Sequence, residues 1–396
     1  MTTPPPPAPQ GPYGQPGPQG SWPTQPPVPG QPPTPPPGPP APGHPAPGQP
    51  YGPPPGPYPG WPPVGPPPKS NGFKWALLGV ALIAVIAVAV TITIVVLHSG
   101  SDGRGGKNGT GATSDIVSAE DTGSIGIITD EPTCDKFMPI NNALAALEKK
   151  GWSDRNPSIP ATEWSADQRT QYEEIAAAMR NTADQYVTLA KQTPHRVVRE
   201  LYEQSIAYAR SYADSVPNYT AQDEQLARTF ISATNVIVNV CESITYGSAG
   251  GRAILADPQP GSHQVPALED PAKPTRFLTS PDSTCKGAIA NSTDTSRGLS
   301  EWLKIDASIP ATEWTSEQNA INDAASQTML SSADRAAELA TRTKNTVLQD
   351  FLDLAAQYQR VYVKAVPTYV AADSYLASAG NQANAIVTAA CLAVGG

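Results

Sequence analysis

The apolar positions of this chain fall into two regimes. From Trp75 to Leu97 they are continuous: WALLGVALIAVIAVAVTITIVVL, about 23 residues with no charge, no proline and one glycine. An α-helix needs roughly 20 such residues to cross a bilayer core of ~30 Å. The run is too long and too far along the chain for a cleaved signal peptide, whose apolar core spans ~7–15 residues near the start. It predicts a retained transmembrane helix over 73–98. After residue 130 the apolar positions become periodic, three, four or seven apart, as on one face of a helix. Tyr172, Ile175, Met179, Tyr186 and Leu189 form one such series. Val198, Leu201, Tyr208, Tyr212 and Val216 form a second, and Leu226, Phe230, Ala233, Ile237 and Val240 a third. Ile140, Leu144 and Leu147 mark a shorter helix ahead of them.

The same series returns with a shift of 150 residues. Ser158-Ile159-Pro160-Ala161-Thr162-Glu163-Trp164 recurs unchanged as Ser308 to Trp314, and Val216-Pro217-Asn218-Tyr219 recurs as Val366-Pro367-Thr368-Tyr369. From 158 to 241 the two copies align without a gap, with about 27 identities in 84 positions. Both carry a capping-box pattern, Ser165-x-x-Gln168 and Thr315-x-x-Gln318. In both, the residue before proline ends a helix, because proline disfavours helical dihedrals in its predecessor. The expected fold class is all-α: a disordered tail, one transmembrane helix, and two tandem four-helix up-and-down bundles. Repeat 1 spans 131–246 and repeat 2 spans 283–396. The stretch NSTDTSRG, where repeat 2 needs its first helix, is a poor helix former.

Between these parts the composition changes. Residues 1–72 form a proline-rich tail, with 33 of the 47 prolines before residue 69. Proline removes the amide donor, and the tail has few aliphatic side chains to offset the entropy of ordering, so disorder with polyproline II character is expected. Residues 99–130, rich in Gly, Ser, Thr and Asp, read as a flexible tether whose one apolar cluster, Ile125, Ile127 and Ile128, is a candidate to dock onto the first bundle. Residues 247–282 read as a Pro/Gly linker.

Cysteine usage bears on both topology and closure. All four cysteines, Cys134, Cys241, Cys285 and Cys391, follow the apolar run. Their even number and symmetric placing suit an oxidising compartment. The lysines and arginines flanking the apolar run balance, so the cysteines decide the orientation: tail in the cytoplasm, repeats outside the cell membrane. Of the three pairings, Cys134–Cys241 with Cys285–Cys391 respects the duplication. All 35 acidic residues lie beyond the apolar run, against 24 of the 26 basic ones. An acidic outer part argues against nucleic acid and anionic lipid as partners.

Candidate chemistry is sparse. No phosphate loop, nucleophile elbow or zinc-protease motif occurs, there is no C-x-x-C, and no histidine is repeated; His195 corresponds to Asn345. Neither a cofactor nor a metal is expected. The repeated Glu163 and Glu313 are the tempting carboxylates, but each sits at a helix start, where free amides and the dipole favour an acid. Trp164, Trp314, Tyr219 and Tyr369 are expected to pack over the bundle ends. If a ligand site exists, those six residues are where it lies. Three triplets, at Asn108, Asn218 and Asn291, match glycosylation sequons.

PPPPAPQGPYGQPGPQ at the start and PPGPYPGWPPVGPPPK before the apolar run resemble the proline-rich, single-pass membrane proteins of mycobacteria and related actinobacteria. The resemblance implies a cell-envelope protein. Receptor kinases and penicillin-binding proteins of similar layout exist, but their motifs are absent here. The first expectation is a non-enzymatic envelope protein whose outer repeats bind a partner protein or an envelope ligand, with self-association left open. An extracytoplasmic enzyme and a carrier of lipid or another hydrophobic ligand are the alternatives.

Overall fold

A computed structural model describes residues 115–257 and 265–396. The expected tail, transmembrane helix and most of the tether lie outside the described residues. Among the described residues no helix is long and apolar enough to cross a membrane.

Among the described residues the secondary structure is all helical. In the first copy α1 is Cys134–Glu148, α2 Ala166–Gln192, α3 Arg196–Ser215 and α4 Glu224–Thr245. A short α5, Ser248–Arg252, follows. In the second copy α6 is Cys285–Gly298, α7 Ser316–Arg342, α8 Thr346–Ala365 and α9 Ser374–Ala393. Short 3-10 turns fall at matching places, Trp152–Asp154 with Trp302–Lys304 and Ala161–Glu163 with Ala311–Glu313. Successive helices of each copy pack side by side, and the last packs on the first, so each copy closes a helical bundle. Two disulfides, Cys134–Cys241 and Cys285–Cys391, tie each first helix to its fourth, with Cα–Cα distances of 5.5 and 5.3 Å.

The helix starts follow their sequence signals. The Ser165 and Thr315 hydroxyls accept from the Gln168 and Gln318 amides, and each Gln side chain reaches back to the cap amide. These reciprocal bonds satisfy donors that the first helical turn leaves open. The poor helix former in the second copy is helical nonetheless. Thr293 and Ser296 bond back within the helix to the Ile289 and Ser292 carbonyls, while buried Asn291 donates to the Ser332 carbonyl on α7, a tertiary bond that fastens α6 against its propensity.

The copies do not stand apart. Helix α4 packs along α9, and α3 meets α8. Tyr246, at the end of α4, stacks on Tyr375 at the start of α9, with centroids 5.5 Å apart. Gln222, just ahead of α4, bonds the Leu392 carbonyl at the end of α9. The equivalent helices α4 and α9 therefore run antiparallel, the reciprocal pattern of an isologous contact.

Two segments are more ordered than their composition suggests. Residues 115–130 are not free tether: Ile116, Ser118, Ile125 and Ile128 are buried, and the Ile128 amide donates to the Tyr358 hydroxyl of the second copy at 3.2 Å. Nor is 247–282 only spacer. It opens with α5, and its far half carries buried Leu278, whose carbonyl accepts from Tyr208 of the first copy. Phe277 lies 5.9 Å from the Tyr208 ring and 5.5 Å from Phe351. The leading segment of each copy thus runs onto the third helix of the other. Composition suggested slack chain; a few apolar residues meeting buried tyrosines were enough to order it.

Candidate functional site

The residues singled out by their repetition converge at one end of each copy. The Trp164 ring stacks on Tyr172 at 3.9 Å and lies 5.3 Å from Tyr219. Its indole N–H donates to the Ile159 carbonyl at 2.9 Å. Tyr219 donates to the Pro157 carbonyl at 2.8 Å, and the Ala161 amide donates to the Tyr219 carbonyl at 2.9 Å. The second copy repeats this: Trp314 donates to the Ile309 carbonyl and lies 5.3 Å from Tyr369, which donates to Ala307 at 2.6 Å. Glu163 and Glu313 sit exposed on their 3-10 turns, outside these aromatic clusters. The repeated segment therefore works as a latch, fastening the loop before α2 or α7 to the Val-Pro-x-Tyr turn.

Beneath this latch the first copy carries ionisable groups that the second lacks. Arg155 bonds Glu224 at 2.6 Å, and its guanidinium lies 3.3 Å from the Trp152 ring centroid. The corresponding positions in the second copy are Ile305 and Ser374. Burial pushes the Glu148 carboxyl up to about 7, against the pull of Arg155.

A second cluster, on the face between the copies, was missed by sequence reasoning. Helix α3 is buried almost all round, including Arg196, Arg199, Glu200 and Glu203. Arg196 Nε lies 2.8 Å from Asp350 on α8, both side chains being fully buried. The same guanidinium donates to the Asp121 and Gly123 carbonyls at 2.8 and 3.0 Å, and the Arg196 amide donates to the Asp121 carboxylate at 2.7 Å. One arginine therefore joins both copies and the 115–130 segment. His195 adds a ring N–H donated to the Asp130 carbonyl at 2.7 Å, while its counterpart Asn345 donates to the Phe277 carbonyl at 2.5 Å. Arg199 lies 3.5 Å from Glu203 and 3.8 Å from Glu200. A sequence signal for this cluster exists: offset by 150, Glu200 and Glu203 correspond to Asp350 and Asp353, so the acids recur on the equivalent helix. Among the described residues no three His, Cys, Asp or Glu side chains come together as a metal site.

Residues 116–395 match the family described as Mycobacterial ESX-1 associated protein. The chain belongs to that family. An uncharacterised protein of Mycolicibacterium smegmatis (strain MKD8) is 40% identical over 341 residues, covering 84% of this chain and 89% of that protein. That length exceeds the part matched to the family, so the likeness continues into the N-terminal 114 residues. No solved structure matches the chain. The family match spans both copies, the segments between them and the arginine-centred cluster.

Proposed function

We propose that this protein is a non-enzymatic, single-pass component of the cell envelope. In this reading its outer part docks a partner protein of the ESX-1 secretion system. The observation that carries the association is the family match across 116–395. The apolar run at 75–97 supplies the anchor, with the proline-rich tail on the cytoplasmic side and the two disulfides in an oxidising compartment outside. Each copy is a disulfide-closed, up-and-down four-helix unit, and the two pack on each other through α4 and α9. A docking role is supported by where the repeated residues went: the aromatics into latches, the charges into the face between copies, and Glu163 and Glu313 to the surface as separate acids.

The test is crosslinking of the full chain in native membranes, with and without residues 1–68, followed by identification of the captured proteins. Secretion-system components should be recovered with both forms. Recovery no greater than with an unrelated single-pass protein would overturn the reading. Protease added to spheroplasts should remove the folded part and spare the tail; the reverse would overturn the orientation.

A further inference from the structure

The face between the copies holds more acid than base. Glu200 and Glu203 from α3, Asp350 and Asp353 from α8 and Asp121 from the 115–130 segment surround Arg196 and Arg199. Arg360 acts on Asp353, and Glu269 lies near Glu203. Asp350 takes the direct bonds to Arg196, at 2.8 and 3.3 Å. Glu200 does not share them. Its nearest approaches to Arg196 and Arg199 are 3.7 and 3.8 Å, both of its oxygens are buried, neither accepts from an N–H or hydroxyl donor, and its carboxyl lies within hydrogen-bonding reach of the Asp350 carboxyl, a contact that needs a proton. An ionised carboxylate so placed carries a heavy desolvation penalty, which a bound proton removes.

We propose that Glu200 is a proton-binding site that locks the two copies and the 115–130 segment together. With Glu200 neutral, Arg196 is free to serve Asp350 and the Asp121 and Gly123 carbonyls. When the proton leaves to solvent, a second full negative charge stands beside Asp350 and competes for the same guanidinium. The bonds that hold 115–130 weaken together with the α3–α8 contact.

Electrostatics supports this arrangement. Burial first, then the charge of Asp350, pushes the Glu200 carboxyl well above the usual carboxylate range, against Arg199 and Arg196. Burial also raises Asp350, takes Glu203 up to about 7 and takes Asp353 up to about 6. Acids whose values rise on folding bind more protons in the folded state. Their stabilisation is present in acid and is lost as pH rises through the folded value.

The experiment is hydrogen exchange of the full chain, read by mass spectrometry at several values between about pH 5.5 and about pH 8.5, corrected for intrinsic exchange. Peptides covering 115–133 and the first half of α8 should lose protection as pH rises, by about tenfold or more in exchange rate. Glu200→Gln, a neutral isostere, should flatten that dependence and keep the segment protected at alkaline pH. Glu148→Gln, in the separate cluster of the first copy, should leave the slope as in the parent. Protection of 115–133 that is constant with pH in the parent, or an unchanged slope in Glu200→Gln, would overturn the proposal. If Glu200→Gln proves unfolded by circular dichroism, Glu203→Gln and Asp353→Asn decide the matter: a slope that persists in both supports Glu200, and a slope abolished by either overturns the proposal.

Discussion

Asp350 and Glu200 occupy equivalent positions of the repeat yet play unequal parts. Asp350 holds Arg196 at 2.8 Å in a site from which both are excluded from water. Asp350→Ala leaves a buried guanidinium without its counter-charge, and removing one partner of such a pair costs about 3–5 kcal/mol. Chemical denaturation of the variant should show a loss of that size. Trp164→Ala empties a packed aromatic site and should cost about 3 kcal/mol or more by the same measurement. Glu148 makes a separate pH prediction. Its carboxyl, raised to about 7, keeps a proton that the unfolded chain gives up near the ordinary value of 4.5. The stabilisation it brings in acid is lost as pH climbs through about 7, so Glu148→Gln should make the fall of the thermal midpoint over that window shallower, leaving the part due to the cluster between the copies. At this scale the aromatic latches were legible, because Trp164 and Tyr219 recur beside helix breakers. The charges were not. Arg196, Arg199, Glu200 and Glu203 look like a solvated helix face, and neighbours brought from 75 residues away (Asp121) and from 154 (Asp350) make them interior.

Helices and their caps were the easiest elements to read. Period, proline breaks and the Ser/Thr-x-x-Gln signals all pointed to the same positions, and the reciprocal bonds at Ser165 and Thr315 are present. Each cap is a local device, so Ser165→Ala or Thr315→Ala should lower stability by about 1 kcal/mol, with the two losses nearly additive in the double variant. Helix α6 shows where propensity stops being informative: its Ser, Thr and Asn residues are tied to backbone carbonyls and to Ser332 rather than competing with the helix. Helix α3 shows the limit of periodicity. A single apolar stripe predicts one buried face, whereas α2, α4, α8 and the 115–130 segment together cover this helix all round.

For the whole molecule, the duplication was written plainly in the sequence, and the way the two halves grip each other was not. Composition marks 99–130 and 247–282 as slack chain, but their ends cross over, Ile128 to Tyr358 and Leu278 to Tyr208. Nothing in a Gly- or Pro-rich stretch announces which distant tyrosine will meet it. The disulfides respect the halves: peptide mapping without reduction should find Cys134 with Cys241 and Cys285 with Cys391, and no crossed pair. Each closes a loop of 106 or 107 residues. In the chain-entropy model such a closure is worth up to about 4.7 kcal/mol, so Cys285→Ser with Cys391→Ser should lower stability by no more than that. The crossing arms have a further consequence. Two separate molecules clasped in this way would part on dilution, at a concentration set by their affinity. Here the partners are sections of one polypeptide, so they meet at an effective concentration fixed by the length of the connection alone. The clasped form therefore persists at any copy number, and a rival for either surface must outcompete a neighbour that never diffuses away.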